Sequence, residues 1–196
     1  MKPLLIPAFL FLTIACFGGM RSAPAPYAIT SPGGHFVFSM TPGPKGKEYE
    51  KGSGICYKVN QDGTFTELWR TSDWYSEDIQ LHYDGNVLAS VGTWRSGDQE
   101  VDAKDLLAVA FYNKGKQVAR YKISDLVKDE EKLVYSEGGL SWLEYELYVS
   151  PAFLPGEEVF QIKTVDGIRY RFDINTGEIV DSNKKDADSK LTEPGN

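Results

Sequence analysis

The sequence predicts an all-β domain built from three antiparallel units of about 52 residues, and three observations support this prediction. Glycines at the centres of turn-like segments recur with equal spacing at Gly63, Gly115 and Gly167. Runs of β-branched and aromatic residues flank each glycine, as in the two arms of a hairpin. Helical patterning is scarce, and the sequence predicts only a short helix at residues 124–131 with Ser124 as its N-cap.

The three predicted hairpins share their turn chemistry. Their turns read Gln61-Asp62-Gly63, Asn113-Lys114-Gly115 and Val165-Asp166-Gly167. A glycine there supplies the positive φ that other residues disfavour. The predicted strands are residues 55–60 and 64–70, residues 107–112 and 116–123, and residues 159–164 and 168–174. Each unit therefore contains at least one antiparallel strand pair.

A second motif lies upstream of the hairpins. Residues 31–38 read Ser-Pro-Gly-Gly-His-Phe-Val-Phe, residues 83–89 read Tyr-Asp-Gly-Asn-Val-Leu-Ala, and residues 138–142 are a looser third copy. These segments resemble the turn-and-strand signature of β-propeller blades, and the chain as a whole resembles uncharacterised exported bacterial β-rich proteins. The resemblance covers most of residues 27–181 and implies a propeller-like or small barrel-like sheet array.

The number of units departs from the propeller pattern. Closed propellers have about 4–8 blades, whereas this chain has three predicted units. An open propeller-like array, a small barrel and a three-unit fold of its own therefore remain alternatives. The resemblance implies no functional residue.

The first residues have the pattern of an export signal. Lys2 precedes an uncharged apolar run at residues 4–15, which is shorter than the roughly 20 residues that a membrane-spanning helix needs. We therefore expect residues 1–26 to be a signal peptide and short tether, and the mature protein to be periplasmic, in the cell envelope or secreted. Two cleavage alternatives are open: lipidation of Cys16 in a lipobox-like segment, or ordinary cleavage near Cys16 or near Ala23 and Ala25.

Composition limits the function classes. The chain has 196 residues, a formal net charge of −7 and 41% hydrophobic residues, which predicts one globular domain at residues 27–181. The polar residues 182–196 are predicted to form a disordered tail. An acidic chain without a Lys/Arg cluster is a poor match for nucleic acid, and we expect membrane contact only through a lipid on Cys16. Cys56, the other cysteine, is predicted to be a small buried hydrophobe.

The sequence predicts no cofactor and no metal site, because it lacks a nucleophile elbow, a phosphate loop and zinc-ligand spacing. The carboxylates Asp73, Glu77 and Asp78 lie close together beside Trp74. Such a cluster is typical of sugar binding or of acid and base catalysis on a glycosidic bond. The favoured interpretation is structural, because an Asp after a Ser stabilises turns.

Recognition is the leading functional hypothesis. Trp94 followed by Arg95 is a typical contact pair at a loop edge. We expect an exported, non-enzymatic binding or protein-interaction module that presents residues 41–54, 71–78 and 92–104 to an envelope or extracellular protein or glycan. The alternatives are a carbohydrate-active hydrolase or glycan-binding protein that uses residues 73–78, and a structural envelope protein.

Overall fold

Residues 23–92, 105–136, 139–146 and 150–184 are described by a computed structural model of the chain. Residues 1–22 with Cys16, the pair Trp94 and Arg95, and the chain beyond residue 184 lie outside the described residues. The predictions on export, lipidation, the Trp94 contact and most of the tail therefore remain predictions. Among the described residues, no helix has the length and apolar character needed to cross a bilayer.

The described chain is almost entirely β-structure, which confirms the all-β class. Sheet 1 contains β1 (Tyr27–Thr30), β2 (Phe36–Thr41), β3 (Ser53–Val59) and β4 (Phe65–Ser72). Sheet 2 contains β5 (Ile79–Leu81), β6 (Val87–Val91), β7 (Leu107–Asn113) and β8 (Lys116–Lys122). A two-stranded ribbon follows, with β9 (Val134–Ser136) and β10 (Gly139–Ser141). Sheet 3 contains β11 (Ala152–Phe153), β12 (Val159–Lys163), β13 (Ile168–Asp173) and β14 (Ile179–Lys184).

Each four-stranded sheet is an antiparallel meander whose strands pair in chain order. The same turn joins the first two strands of all three sheets. In each turn the first residue donates its backbone N–H to the carbonyl five residues later: Ser31 to Phe36, His82 to Val87 and Leu154 to Val159, all at 2.9 Å. The same backbone hydrogen bond therefore closes the turn after the first strand of each sheet.

The three predicted hairpins form, but the third has a different place in its sheet. The turns at Gly63 and Gly115 join the third and fourth strands of sheets 1 and 2, whereas the turn at Gly167 joins the second and third strands of sheet 3. The 52-residue spacing thus relates the first two sheets and does not extend to the third. Residues 139–141 of the looser third motif lie in the β9–β10 ribbon.

Sheet 2 lies between the other two sheets, and its central strands β6 and β7 are buried on both faces, whereas the edge strand β8 is largely exposed. On β6, Leu88 packs into a cluster with sheet 1, whereas Val87, Ala89 and Val91 pack into a cluster with sheet 3. All five residues of β6 are buried. An antiparallel sheet with both faces covered loses the usual apolar/polar alternation, which explains the continuous apolar sequence of β6.

Buried aromatic side chains donate hydrogen bonds that connect one layer to the next. The indole Nε1 of Trp69 in sheet 1 donates to the Gly85 carbonyl of sheet 2 at 2.8 Å. Trp142 donates in the same way to the carbonyl of Gly92 at 2.7 Å, and the Tyr170 hydroxyl donates to the carbonyl of Leu126 at 2.6 Å. Burying these rings adds hydrophobic stabilisation without leaving an N–H or O–H unpaired.

Two predicted boundaries differ from the structure. The helix α1 (Ile123–Leu126) is a single turn with Lys122 as its N-cap, instead of a helix at residues 124–131 capped by Ser124. The Asp125 carboxylate accepts the backbone N–H of Lys122 at 2.7 Å, which places the first turn earlier than the sequence suggested. A further 3-10 turn spans Glu130–Lys132. At the other end, β14 includes residues 182–184, which the sequence assigned to the tail.

Candidate functional site

Two of the segments predicted to carry function leave the sheets at the same edge. Ser53 at the start of β3 pairs with Ser72 at the end of β4, so residues 42–52 and 73–78 project from the same end of sheet 1. Tyr27 lies at this end because it pairs with Met40 near the end of β2. We call residues 42–52 and 73–78, together with Tyr27 and the adjacent Tyr145, the loop edge.

The two segments of the loop edge are held to each other by hydrogen bonds. The backbone N–H of Tyr75 donates to the carbonyl of Tyr49 at 3.0 Å. The Tyr49 hydroxyl donates to Glu77 Oε1 at 2.9 Å, and Lys51 Nζ contacts Asp73 Oδ1 at 2.7 Å. The rings of Tyr49 and Tyr75 meet edge to face with their centroids 5.6 Å apart. These contacts order a long loop that would otherwise lose much conformational entropy on binding.

Asp73 has the contacts of a turn-stabilising residue. Its φ is 66°, a left-handed conformation that Asp tolerates better than most residues. Its carboxylate accepts from Lys51 Nζ and from Ser72 Oγ at 2.8 Å. The hydrogen bond and charge of Lys51, with the Ser72 hydroxyl, lower the pKa of Asp73. These contacts fit the turn-stabilising role that the sequence analysis favoured for Asp73.

One face of the Trp74 ring is covered by another aromatic ring. Its indole stacks on Tyr112 of sheet 2, with centroids 4.3 Å apart and ring planes 17° apart. Its Nε1 donates to Thr71 Oγ1 at 2.7 Å. Trp74 therefore joins the loop edge to the core between sheets 1 and 2, and this contact limits its role in ligand binding.

Asp78 lies in a different environment from Asp73. Burial raises the pKa of the Asp78 carboxyl. Burial also raises the pKa of Tyr27, and the nearby groups Tyr75, Asp78 and Glu77 raise it further. The Tyr27 hydroxyl donates to the Ser76 carbonyl at 2.5 Å. Partial desolvation and the charge of Asp78 raise the pKa of Tyr145, although 64% of this residue is exposed. Asp78 is thus a partly buried carboxyl near two tyrosines.

The structure brings Asp73, Trp74, Glu77 and Asp78 to the loop edge, whereas Trp94 and Arg95 lie outside the described residues. Sequence reasoning missed Tyr27, Tyr49 and Tyr145 as neighbours of this cluster. No local signal could have found them, because they lie about 25–70 residues away along the chain and meet it only in the folded structure.

Cys56 is a buried structural residue, as predicted. Its thiol donates to the carbonyl of Gly85 at 3.4 Å, and burial followed by the charge of Asp84 raises its pKa to about 11. A nucleophilic cysteine needs the opposite shift. His82 is also buried, and its Nδ1 lies 3.0 Å from Asp84 Oδ1 while its ring packs against Phe153. In the part of the chain that the structure describes, no three His, Cys, Asp or Glu side chains are grouped as metal ligands.

Comparisons with known proteins identify no family. No protein-family model matches the chain, and no curated protein matches it. A complex of KlAtg21 with the coiled-coil of AgAtg16 matches with a TM-score of 0.42 and 14% identity, covering 81% of this chain and 41% of that chain. The structure of U3-55K matches with a TM-score of 0.40 and 14% identity, covering 86% of this chain and 42% of that chain. This chain thus spans well under half of either protein, and similarity of this degree establishes neither a shared family nor a shared function.

Proposed function

We propose that this chain is an exported, non-enzymatic binding or interaction module that contacts an envelope or extracellular partner through its loop edge. The observation that carries the proposal is the joining of residues 42–52 and 73–78 by hydrogen bonds at one end of sheet 1. Ordered loops on a rigid sheet scaffold are a common basis for recognition. The apolar run at residues 4–15 supports export, and a lipid on Cys16 is the proposed alternative to a freely released form.

For the architecture we propose that the three four-stranded sheets are propeller-blade-like units in an open array. The shared turn between the first and second strands of each sheet supports this, because it repeats the same backbone hydrogen bond at Ser31, His82 and Leu154. The face-to-face packing of sheet 2 against both neighbours is also expected of adjacent blades.

The proposal is tested by site-specific photo-crosslinking in the organism that makes the chain. A photoreactive amino acid replaces Tyr49 at the loop edge or, as a matched control, Tyr83 in the turn at the opposite edge of sheet 2. Both tyrosines are exposed, at 42% and 55%. We expect one discrete, saturable crosslinked product from position 49 and none from position 83. Equal products from both positions, or none from position 49, would show that the loop edge is not the contact surface.

A second candidate function is glycan binding or glycan hydrolysis at Asp78. The specific observation is the burial-raised pKa of this carboxyl beside Tyr27 and Tyr145, since tyrosine rings pack on sugars and a protonated carboxyl can donate to a glycosidic oxygen. Hydrolysis needs a second carboxyl group. The most exposed candidate is Asp73, but its carboxylate is already paired with Lys51, which disfavours hydrolysis relative to binding.

An assay of binding and of reducing-sugar release separates these functions. On a panel of envelope polysaccharides, glycan binding predicts retention that Asp78→Asn weakens and Asp73→Asn leaves intact. Hydrolysis predicts release of reducing ends that Asp78→Asn abolishes. If the wild-type chain neither binds nor cleaves any polysaccharide while the position-49 crosslink forms, the glycan function is excluded and the interaction module stands.

A further inference from the structure

The strand β8 is an open edge of sheet 2. It is the last strand in the order β5-β6-β7-β8 and pairs with β7 on one side. On its other side, no strand of the described residues pairs with it. Every second residue of such an edge directs its backbone N–H and C=O groups away from the sheet. β8 therefore offers backbone donors and acceptors to an added strand.

The edge is already ordered by packing against the core. Ala119 and Tyr121 pack against the hydrophobic cluster between sheets 2 and 3, and the Tyr121 hydroxyl donates to the carbonyl of Gly177 at 2.9 Å. Val118 has no partner on β7, so the strand bulges there and residues 119–122 form its regular part. Because this part is held in place, adding a strand to it costs little conformational entropy on the side of the chain.

The exposed side chains along β8 and its turn are cationic. Residues 114–122 contain Lys114, Lys116, Arg120 and Lys122 and no Asp or Glu. All four cations are exposed. They are separated from one another in the sequence and become one stripe only along the strand. We call these four residues the β8 cations.

Most of the charge of the β8 cations is uncompensated. Lys114, Lys116 and Arg120 form no ion pair with the described residues. Lys122 Nζ lies 2.8 Å from Asp105 Oδ1, but both side chains are half exposed, and an exposed pair contributes little stabilisation. The chain as a whole has a formal net charge of −7. At physiological ionic strength the screening length is about 8 Å, so distant acids act only weakly on the β8 cations.

The other edge strands lack this combination of length and charge. β1, β5 and β11 have four, three and two residues, and such short edges pair poorly with an added strand. On β4, Glu67 and Arg70 pair with each other. β14 carries charges of opposite sign, Asp181 and Lys184. Among the described edge strands, β8 is thus the one with charges of a single sign.

We propose that β8 binds an extended acidic segment of a partner protein, which adds to sheet 2 as a fifth strand. This inference is independent of the proposed function, because β8 is not part of the loop edge. Backbone hydrogen bonds to residues 119–122 hold the segment along the edge. Its carboxylates lie across from Arg120 and, beyond the bulge, from Lys116, where opposite charges on adjacent strands attract each other.

The β8 cations also disfavour other occupants. Two copies that paired through β8 would place like charges opposite each other, which destabilises the pairing. Nucleic acid has no backbone that continues a β-ladder, and the net charge of −7 opposes the approach of a long polyanion. A short acidic segment continues the ladder and neutralises the cations at the same time, so it satisfies both features of the edge.

The first test measures binding of a fluorescent peptide of about eight residues, alternating Glu and Thr, to the full chain as its host produces it. We expect saturable binding whose affinity falls as salt rises. The double variant Lys116→Glu/Arg120→Glu should raise the dissociation constant about tenfold or more, because attractive cross-strand pairs become repulsive. Lys58→Glu/Lys132→Glu is the matched control, since it makes the same charge change at exposed positions outside β8 and should leave the dissociation constant nearly unchanged.

A second probe separates strand addition from charge attraction alone. The same peptide with every backbone nitrogen methylated keeps its carboxylates but has no N–H to donate, and it should bind about tenfold more weakly or worse. Amide hydrogen exchange in residues 119–122 should slow only with the unmethylated peptide. Failure of the unmethylated peptide to bind, equal weakening by the two double variants, equal binding of the methylated peptide, or equally tight binding of a single-stranded DNA of the same charge would each overturn the proposal.

Discussion

The carboxylate of Asp166 joins sheet 3 to the segment that follows sheet 2, and its removal tests how the two layers are held together. Asp166 lies in the β12–β13 turn and is 7% exposed. Its Oδ2 accepts the backbone N–H groups of Lys128 at 2.7 Å and Asp129 at 3.2 Å. Its Oδ1 accepts the Thr164 hydroxyl at 2.5 Å. One side chain thus satisfies donors from two separate parts of the chain.

The magnitude follows from these three bonds. A hydrogen bond to a charged group contributes about 1.5–3 kcal/mol, and bonds that share one carboxylate are not additive. We therefore expect Asp166→Ala to lower the free energy of unfolding by about 3–4 kcal/mol, a large share of the roughly 5–15 kcal/mol of a typical domain. Asp166→Asn keeps an acceptor oxygen but loses the charge, so its cost should be about half as large.

Urea unfolding followed by tryptophan fluorescence measures these differences at pH 7. The matched control is Asp62→Asn, because Asp62 has the same position in its turn and, within the described part of the chain, its carboxylate accepts from Thr64 two residues away and from no distant segment. The control should unfold almost like the wild type. Equal losses for Asp62→Asn and Asp166→Asn, or no loss for Asp166→Ala, would refute the reasoning that the contact between layers is what matters.

The contribution of Asp166 also depends on pH in a defined direction. Burial alone would raise its pKa, but the hydrogen bonds from Thr164, Lys128 and Asp129 outweigh burial and lower it. A carboxyl with a lowered folded-state pKa stabilises fully above its unfolded pKa of about 3.9, and this stabilisation is lost as the pH falls through the folded value. The difference in unfolding free energy between wild type and Asp166→Asn should be constant near neutrality and shrink in strong acid.

Three further substitutions have expected outcomes that the structure determines. Gly115→Ala should lower the free energy of unfolding by about 2 kcal/mol or more, because φ is +79° and the new Cβ would lie 2.0 Å from a backbone carbonyl oxygen of sheet 1. Gly63→Ala, with φ +81° and open space, should cost only about 1 kcal/mol. Trp69→Phe should cost about 1–2 kcal/mol, since the carbonyl of Gly85 loses its indole donor. The Cys56 thiol, with its raised pKa and full burial, should react with iodoacetamide only after unfolding.

The same urea titrations measure the glycine and tryptophan variants, and mass spectrometry measures thiol labelling. Equal costs for the two glycine variants would contradict the close approach of sheets 1 and 2 at Gly115. Rapid labelling of Cys56 in the native protein would contradict its placement in the core between these sheets.

Local signals predicted the hairpins well. Each turn glycine has the expected positive φ, and the strands on both sides pair as predicted, because a turn and its two arms depend on residues within about a dozen positions. The predicted N-cap Ser124 was wrong by two residues, because the Asp125 side chain accepts the backbone N–H of Lys122, and the helix ends at Leu126 instead of residue 131. The 52-residue period did not extend to sheet 3, where the Gly167 hairpin joins the second and third strands instead of the third and fourth. The place of a hairpin in its sheet depends on contacts between residues that are distant in sequence.

The candidate site was predictable only in part. Adjacency along the chain already placed Asp73, Glu77 and Asp78 near one another. Their different environments were not predictable, because Lys51 reaches Asp73 across a loop whereas burial near Tyr27 and Tyr145 raises the pKa of Asp78. Similarly, nothing near Asp166 in the sequence indicates that it accepts from residues almost forty positions earlier.

The sequence by itself determined the all-β class, the three hairpin turns and the burial of Cys56, because each depends on periodicity, turn chemistry or residue polarity within a short window. The tertiary structure decided which position in its sheet each hairpin takes and which carboxylates are paired. These features arise when strands far apart in the chain pair and stack. The free energy of such contacts depends on partners that no local window of sequence contains.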